Sequence, residues 1–389
     1  MITMILQFVF IYFKTNKPKL FVSLFVFCCV SLFSQNPDAK GYDYTIKKSK
    51  TILGIEWMGE EIPFPDSAKK GDTFPITWAD DNNQYTSAGD PLWGNKWDGL
   101  DLECFTGDAP KYKIDKINDM PDFKGYGGNG PKPTGLISIK GVLYLAFQNL
   151  TGIFVNAGNA EYSHGYDASI VFSTDHGKTW NPDITKNRTP IFPGRMFGAP
   201  AFINYGKDNE GATDNYVYII SGEGWSNGSN CRLARAPADK IMDATAWQFV
   251  KENKSGNQPV WTNNIYDAIP VITHDEYLGA VDMVYITKLK RYLLLSWHFK
   301  TYSDPNNGSE IVIYESPQPW GPFSLVCQEK WETNEKTPYN PRIPLKWFDQ
   351  DKLEGWILFS GTWRNGGSTP YYRSHIRKFK LLLNSDKNF

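Results

Sequence analysis

Short apolar runs recur in pairs along this chain, each pair divided by a polar turn and followed later by an aromatic residue that opens an outer strand. The first pair is 74–79 and 84–89, around a turn at 80–83. The second is 135–139 and 142–148, turning at Lys140 and Gly141, with 168–173 and Trp180 after it. The third is 199–205 and 216–221, followed by 232–236 and Trp247. The fourth is 280–286 and 292–298, followed by 310–315 and Trp320, and the fifth is 342–347 and 356–361, ending with 372–382. Starts near 74, 135, 199, 280 and 342 give a repeat of roughly 60 to 80 residues, the scale of a four-stranded blade with some long loops. The pattern predicts an all-β fold: a five-bladed β-propeller of four-stranded antiparallel blades. Helical signals are sparse among 33 Gly and 25 Pro, and the best short candidate is 239–246.

One turn is more specific. Ser173, Thr174, Asp175, His176, Gly177, Lys178, Thr179 and Trp180 spell S-x-D-x-G-x-T-W, an Asp box, in which a carboxylate caps the backbone N–H groups of a tight hairpin. It resembles the turn of sialidase-type and other secreted propellers, and its role is structural, so Asp175 and His176 stay outside the candidate site.

The N-terminus departs from the repeat. Lys17 and Lys19 precede an apolar run at 20–33, and a polar stretch follows from Ser34, which is the order of a secretory signal. That run is short for a membrane span. The predicted organisation is a leader at 1–35, an N-terminal extension at 36–70 placed to complete the ring, and the propeller at 71–389. The mature protein is then expected outside the cytoplasm, secreted, periplasmic or at the cell surface, as a monomer without a membrane span. Beyond the leader, Cys104, Cys231 and Cys327 allow at most one disulfide, and no CxxC pair suggests structural zinc. Lys and Arg total 41 against 42 Asp and Glu, so a net charge of -1 gives no general attraction for nucleic acid or anionic membranes. Aromatic residues make up 15% of the chain, with 14 Trp and 21 Tyr, which strand cores explain in large part and sugar stacking in the remainder.

Blade geometry narrows the search for chemistry. In an antiparallel inner hairpin the start of the first strand lies beside the end of the second, so these positions from every blade gather at one mouth of the channel. The turns lie at the other end, which demotes Asp80, Asp81 and Asp351. The rule nominates Asp72 and Asp90 in the first blade, Gln148 in the second, Glu223 in the third, Asp282 and His298 in the fourth and Arg342 in the fifth. Two carboxylates flanking a glycosidic bond are what hydrolysis needs, one to protonate the leaving oxygen and one to activate water or attack the anomeric carbon. Asp90 and Asp72 are the candidate catalytic pair, with Glu223 as acid or sugar ligand; Gln148, Asp282, His298 and Arg342 are candidate substrate contacts. Each has a bland alternative: strand-end acids cap loops, Arg342 pairs with an acid across the channel, and His298 is a core histidine.

The stretch from Gly71-Asp72-Thr73-Phe74-Pro75 through Thr77-Trp78-Ala79-Asp80-Asp81 to Tyr85-Thr86-Ser87-Ala88-Gly89-Asp90 resembles the opening blade of a secreted propeller family. That family carries a domain of unknown function and includes endo-D-arabinanases. Further likeness lies in Leu233-Ala234-Arg235-Ala236-Pro237-Ala238-Asp239-Lys240-Ile241, in Lys290-Arg291-Tyr292-Leu293-Leu294, and in residues 341–347 with Phe359-Ser360-Gly361. The resemblance implies a five-bladed ring and an inverting glycosidase mechanism on Asp72 and Asp90. It departs at Pro91, Leu92 and Trp93, which leaves the sugar open.

Two rival readings stand beside glycoside hydrolysis. A polysaccharide lyase for uronate-containing glycans would use a set such as His298, His164, Tyr166 and Arg195. A non-catalytic glycan-binding propeller would use aromatic and amide side chains at the mouth. No phosphate-binding loop, H-E-x-x-H or G-x-S-x-G motif appears. No cofactor is expected, and no calcium-loop spacing accompanies the acids, although a structural calcium ion would suit them. The expected partner is a polysaccharide or oligosaccharide.

Overall fold

The computed structural model describes residues 46–384 except 67–68, 94–95, 98, 124–129, 151–153, 157–162, 166, 255–257, 300–307, 332–336 and 363–369. The leader lies outside the described residues, as does Tyr166. The described chain is all-β, and its strands fall into groups that follow the chain order. In one group Asp282–Ile286, Arg291–Phe299, Ser309–Ser316 and Ser324–Trp331 pair antiparallel in succession. The alternation of side chains across a strand explains why such runs are apolar on both faces. Leu293, Leu295 and Trp297 point into one core, and Tyr292 and Leu294 point into the next.

The other groups repeat this plan. Ile76–Trp78, Gln84–Thr86, Leu102–Thr106 and Lys113–Asn118 form the first. Lys132–Ile139, Val142–Gln148 and Ser169–Ser173 form the second, extended by a bridge between Phe172 and Asn181. Ala199–Asn204, Tyr216–Gly222, Asn230–Pro237 and Gln248–Glu252 form the third. The last consists of Tyr339–Arg342, Glu354–Ser360 and Ser374–Leu383, and its outer strand is Ile52–Trp57 from the other end of the chain.

Apolar cores lie between consecutive groups, as burial of both sheet faces demands. Leu102 shares a cluster with Leu145, Ile170 with Phe249, Leu233 with Leu294, and Leu295 with Phe359. A further core joins the first and last groups, where Ile76 and Phe105 pack with Trp347, Leu358 and Ile376. Trp247 is fully buried, and truncating such a side chain to alanine costs about 3–5 kcal/mol. Cys104, Cys231 and Cys327 carry free thiols.

The helix candidate at 239–246 condenses to one 3-10 turn, Ala244–Ala246. Asp243 caps it by accepting from Thr245 N, and Trp247 returns at once to extended backbone, where its indole N–H donates to the Ile241 carbonyl at 3.0 Å. No helix among the described residues is long and apolar enough to cross a membrane.

The turn after Ser169–Ser173 is held by its own side chains. Asp175 accepts from the Ser173 hydroxyl at 2.7 Å, the Thr179 N–H at 2.9 Å and the Thr179 hydroxyl at 2.7 Å. The Ser173 hydroxyl oxygen in turn accepts from Gly177 N at 2.7 Å. His176, on left-handed backbone, leaves this turn to meet Asp80 at 2.8 Å.

Candidate functional site

Asp72 ends the strand Lys69–Asp72, which pairs antiparallel with Gly89–Trp93 so that Asp72 stands opposite Gly89. The next residue on that partner strand is Asp90. Both carboxylates therefore reach the same end of one hairpin. The backbone around them is unusual: Thr73, Phe74 and Asp90 have φ of 68°, 42° and 46°. Left-handed backbone at residues with a Cβ is uncommon and costs on the order of 1 kcal/mol or more each, so strain is concentrated where the two acids sit. Gly89 makes the approach possible. A Cβ there would lie 2.7 Å from Asp72 Oδ1 and 3.3 Å from Pro133 Cδ.

The two acids have unlike neighbours. Asp72 accepts from the Tyr339 hydroxyl at 2.8 Å and also hydrogen-bonds with Tyr372. Burial of the carboxyl group, and then the charge of Asp90, push its pKa up from 3.8 to about 7, against the tyrosine donors and Lys132. Tyr372 is held well above its ordinary value by burial and by the charge of Asp72, so it stays a donor. Asp90 pairs with Lys132, whose Nζ lies 2.8 Å from Oδ1 and whose side chain is 3% exposed. Lys132 begins its strand opposite Gln148. Gln148 is buried, and its Oε1 accepts no hydrogen bond among the described residues.

Arg342 draws several strand starts together. Its guanidinium donates to the carbonyls of Thr73 at 3.2 Å, Val281 at 2.8 Å and Thr134 at 3.4 Å, and pairs with Asp282 at 3.3 Å. Burial raises the pKa of Asp282, and the charge of Arg342 opposes this. The two therefore form a buried tie across the strand groups, with the arginine donors directed at protein atoms.

Glu223 and His298 have partners of their own. Glu223 pairs with buried Arg232, whose Nε donates to the Ala268 carbonyl at 3.2 Å. His298 stacks on Tyr277 at 4.4 Å between ring centroids, and its Nε2 lies 3.6 Å from Glu276. Asp72, Asp90 and Gln148 are thus gathered with Lys132, beside the Asp282–Arg342 tie, while Glu223 is engaged with Arg232 and His298 with Tyr277 and Glu276.

Lys132, Tyr339 and Tyr372 were not singled out by the sequence. The first two had a usable signal. The strand starts were read at 135 and 342, whereas the strands begin at Lys132 and Tyr339, and the same rule applied there nominates both. A register shift between Pro133 and Gly135 hides the earlier start. Tyr372 arrives from beyond the inner hairpins and had none.

Asp80, Asp81 and His176 place metal-ligand atoms within 4.8 Å of one another, at hairpin turns and not at the strand starts. A cavity of about 310 Å³ also opens among Trp78, Tyr205, Tyr285 and Phe348, and none of the candidate site residues lines it.

The profile of one protein family, DUF4185, described as a domain of unknown function, matches residues 53–344. No curated protein sequence matches the chain. Among solved structures, a candidate hydrolase from Bacteroides ovatus superposes with a TM-score of 0.53 at 12% identity, over 80% of this chain and 85% of that one. The α-L-arabinofuranosidase of Podospora anserina, solved with cellotriose, gives 0.50 at 11% identity over 85% and 98%. The xylan β-1,4-xylosidase of Bacillus halodurans gives 0.50 at 12% identity over 82% of this chain and 56% of that one. The likeness is one of fold: the chain shares the propeller-type architecture of these proteins.

Proposed function

The chain belongs to the DUF4185 family, and from that premise we propose that it is a glycoside hydrolase in which Asp72 is the general acid and Asp90 the general base. One observation carries the reading. Two carboxylates meet at one end of a single hairpin in opposed settings, one whose pKa burial raises to about 7 and the other beside a buried lysine. Divided settings of this kind separate an acid from a base. Asp72 gives its proton to the leaving glycosidic oxygen as the C–O bond breaks. Asp90 takes a proton from the water that attacks the anomeric carbon from the opposite face, so the configuration inverts and each product ends with a hydroxyl.

The strand groups and the core joining the first to the last support a five-bladed ring closed by Ile52–Trp57, with the turn at Asp175 as its Asp box. In this reading Arg342 and Asp282 are framework, Gln148 offers its free carbonyl oxygen to a sugar hydroxyl, and Glu223 and His298 form the outer wall. The substrate is a polysaccharide or oligosaccharide reached outside the cytoplasm after loss of the leader, and the enzyme works as a monomer without a cofactor. The fold likeness to an arabinofuranosidase and a xylosidase agrees with neutral pentose-containing glycans as the first to try.

The test is incubation of residues 36–389 and of its Asp90→Asn variant with plant, algal and bacterial polysaccharides, reading new reducing ends and ultraviolet absorbance together. The expected result is reducing ends without absorbance, reduced about 10²–10⁴-fold in the variant. Absorbance from unsaturated products would replace hydrolysis by elimination. Reducing ends that persist in the variant would remove Asp90 from the mechanism.

A further inference from the structure

We infer that Lys132 is the positioning residue that divides the labour of the two aspartates, keeping Asp90 charged and aimed while Asp72 retains the proton. The inference deepens the hydrolase reading and rests on it for its kinetic consequences.

A lysine that is 3% exposed needs a reason, because an ammonium out of water is costly unless it is paired and hydrogen-bonded. Lys132 has both forms of compensation: Asp90 at 2.8 Å and the Pro131 carbonyl at 3.2 Å. Its reach is fixed, since it stands in the ladder opposite Gln148 at the first position of its strand. Asp90 is equally fixed, on left-handed backbone with its N–H donating to the Gly99 carbonyl at 3.2 Å.

Other ionisable groups stand around the pair. Tyr339 and Tyr372 face Asp72. Asp101 accepts from the Ala88 N–H in the same hairpin, and Arg342 is held by Asp282. Two carboxylates within Coulombic reach in a buried site cannot both carry charge cheaply, so whichever has the ammonium keeps it. Hydroxyls donate to Asp72, while Lys132, whose charge also reaches Asp72, pairs directly with Asp90, and this asymmetry assigns the proton. Lys132 acts through Asp90, which is why it is a positioning residue and not a catalytic one.

The experiment is a ¹³C carboxyl NMR titration of Asp72 and Asp90 in the wild-type protein, Lys132→Met and Lys132→Arg, with the pH profile of kcat/KM measured alongside. In Lys132→Met, Asp90 is expected to take up its proton about one unit or more higher than in the wild type, and the acid limb of the profile to move up with it. Lys132→Arg keeps the charge and is expected to restore both. If Lys132→Met is folded and leaves the Asp90 titration and the profile unchanged, the inference is overturned. Should Lys132→Met fail to fold, an arginine variant with a wild-type titration supports the role of the charge, and a displaced one rejects it. The titration needs no substrate, so failure of the hydrolase reading is seen separately, as activity that survives Asp90→Asn.

Discussion

Asp72, at the end of a short strand, and Asp175, in the turn after one, are the same side chain, yet their surroundings drive them in opposite directions. Asp72 is raised to about 7, first by burial and then by the charge of Asp90. At Asp175 desolvation, the largest single influence, raises the pKa, and hydrogen bonds from Thr179, Ser173 and Lys178 together outweigh it and bring it to about 2. Its donors are all within a few residues in sequence, so the turn is self-contained. The partners of Asp72 come from residues 90, 132, 339 and 372, so its state depends on how distant strands are assembled. A carboxylate stabilised by local donors serves as a structural clasp. One desolvated by remote parts of the chain holds its proton to higher pH.

Three substitutions would break or sharpen this contrast. The largest effect is expected from Gly89→Ala, whose Cβ would displace the Asp72 carboxylate: about a 10²-fold fall in kcat with KM little changed, read in steady-state kinetics. Unchanged kinetics would mean that the close approach of this glycine has no catalytic purpose.

The second is Asp72→Asn, read as melting temperature against pH. A carboxyl whose folded value is raised binds its proton more tightly in the native state, so its ionisation destabilises the fold. Its contribution is best below 3.8 and is lost as pH rises toward about 7. The variant is therefore expected to melt above the wild type at pH 8, with the difference shrinking toward pH 4. A variant less stable at pH 8 would show that the carboxylate is well stabilised and unsuited to act as an acid.

The smallest effect is that of Asp175→Ala: a loss of about 1 kcal/mol at pH 7 with kcat unchanged. Here the sign reverses. Stability from a depressed carboxyl is present above 3.8 and fades as pH falls toward about 2, so the variant and the wild type should converge in acid.

The legible part of this fold was its local part. Hairpins announced themselves as paired apolar runs, and 142–148, 216–221 and 292–298 fall within strands as drawn. The turn at Asp175 was readable because every group it uses lies between Ser173 and Thr179. The antiparallel rule also placed Asp72 and Asp90 at one end of a hairpin. Its limits lay in what makes those acids different. The rule reaches Lys132 and Tyr339 only at the true strand starts, and their pairing with Asp90 and Asp72, like the arrival of Tyr372, depends on contacts between strand groups that no spacing encodes. Glu223 illustrates the reverse: its position fits the rule, while Arg232, nine residues further on across the same hairpin, draws it into a pair of its own.

The strand Ile52–Trp57 is completed by Ser374–Leu383, and Asp72 by Tyr339 and Tyr372. A ribosome adding about 5–20 residues per second makes the early partners tens of seconds before the late ones exist. Throughout that interval the nascent chain carries both aspartates without the tyrosines that furnish one of them. The proposed site is thus assembled last, and a chain whose synthesis stops before residue 372 is expected to leave the ribosome inert.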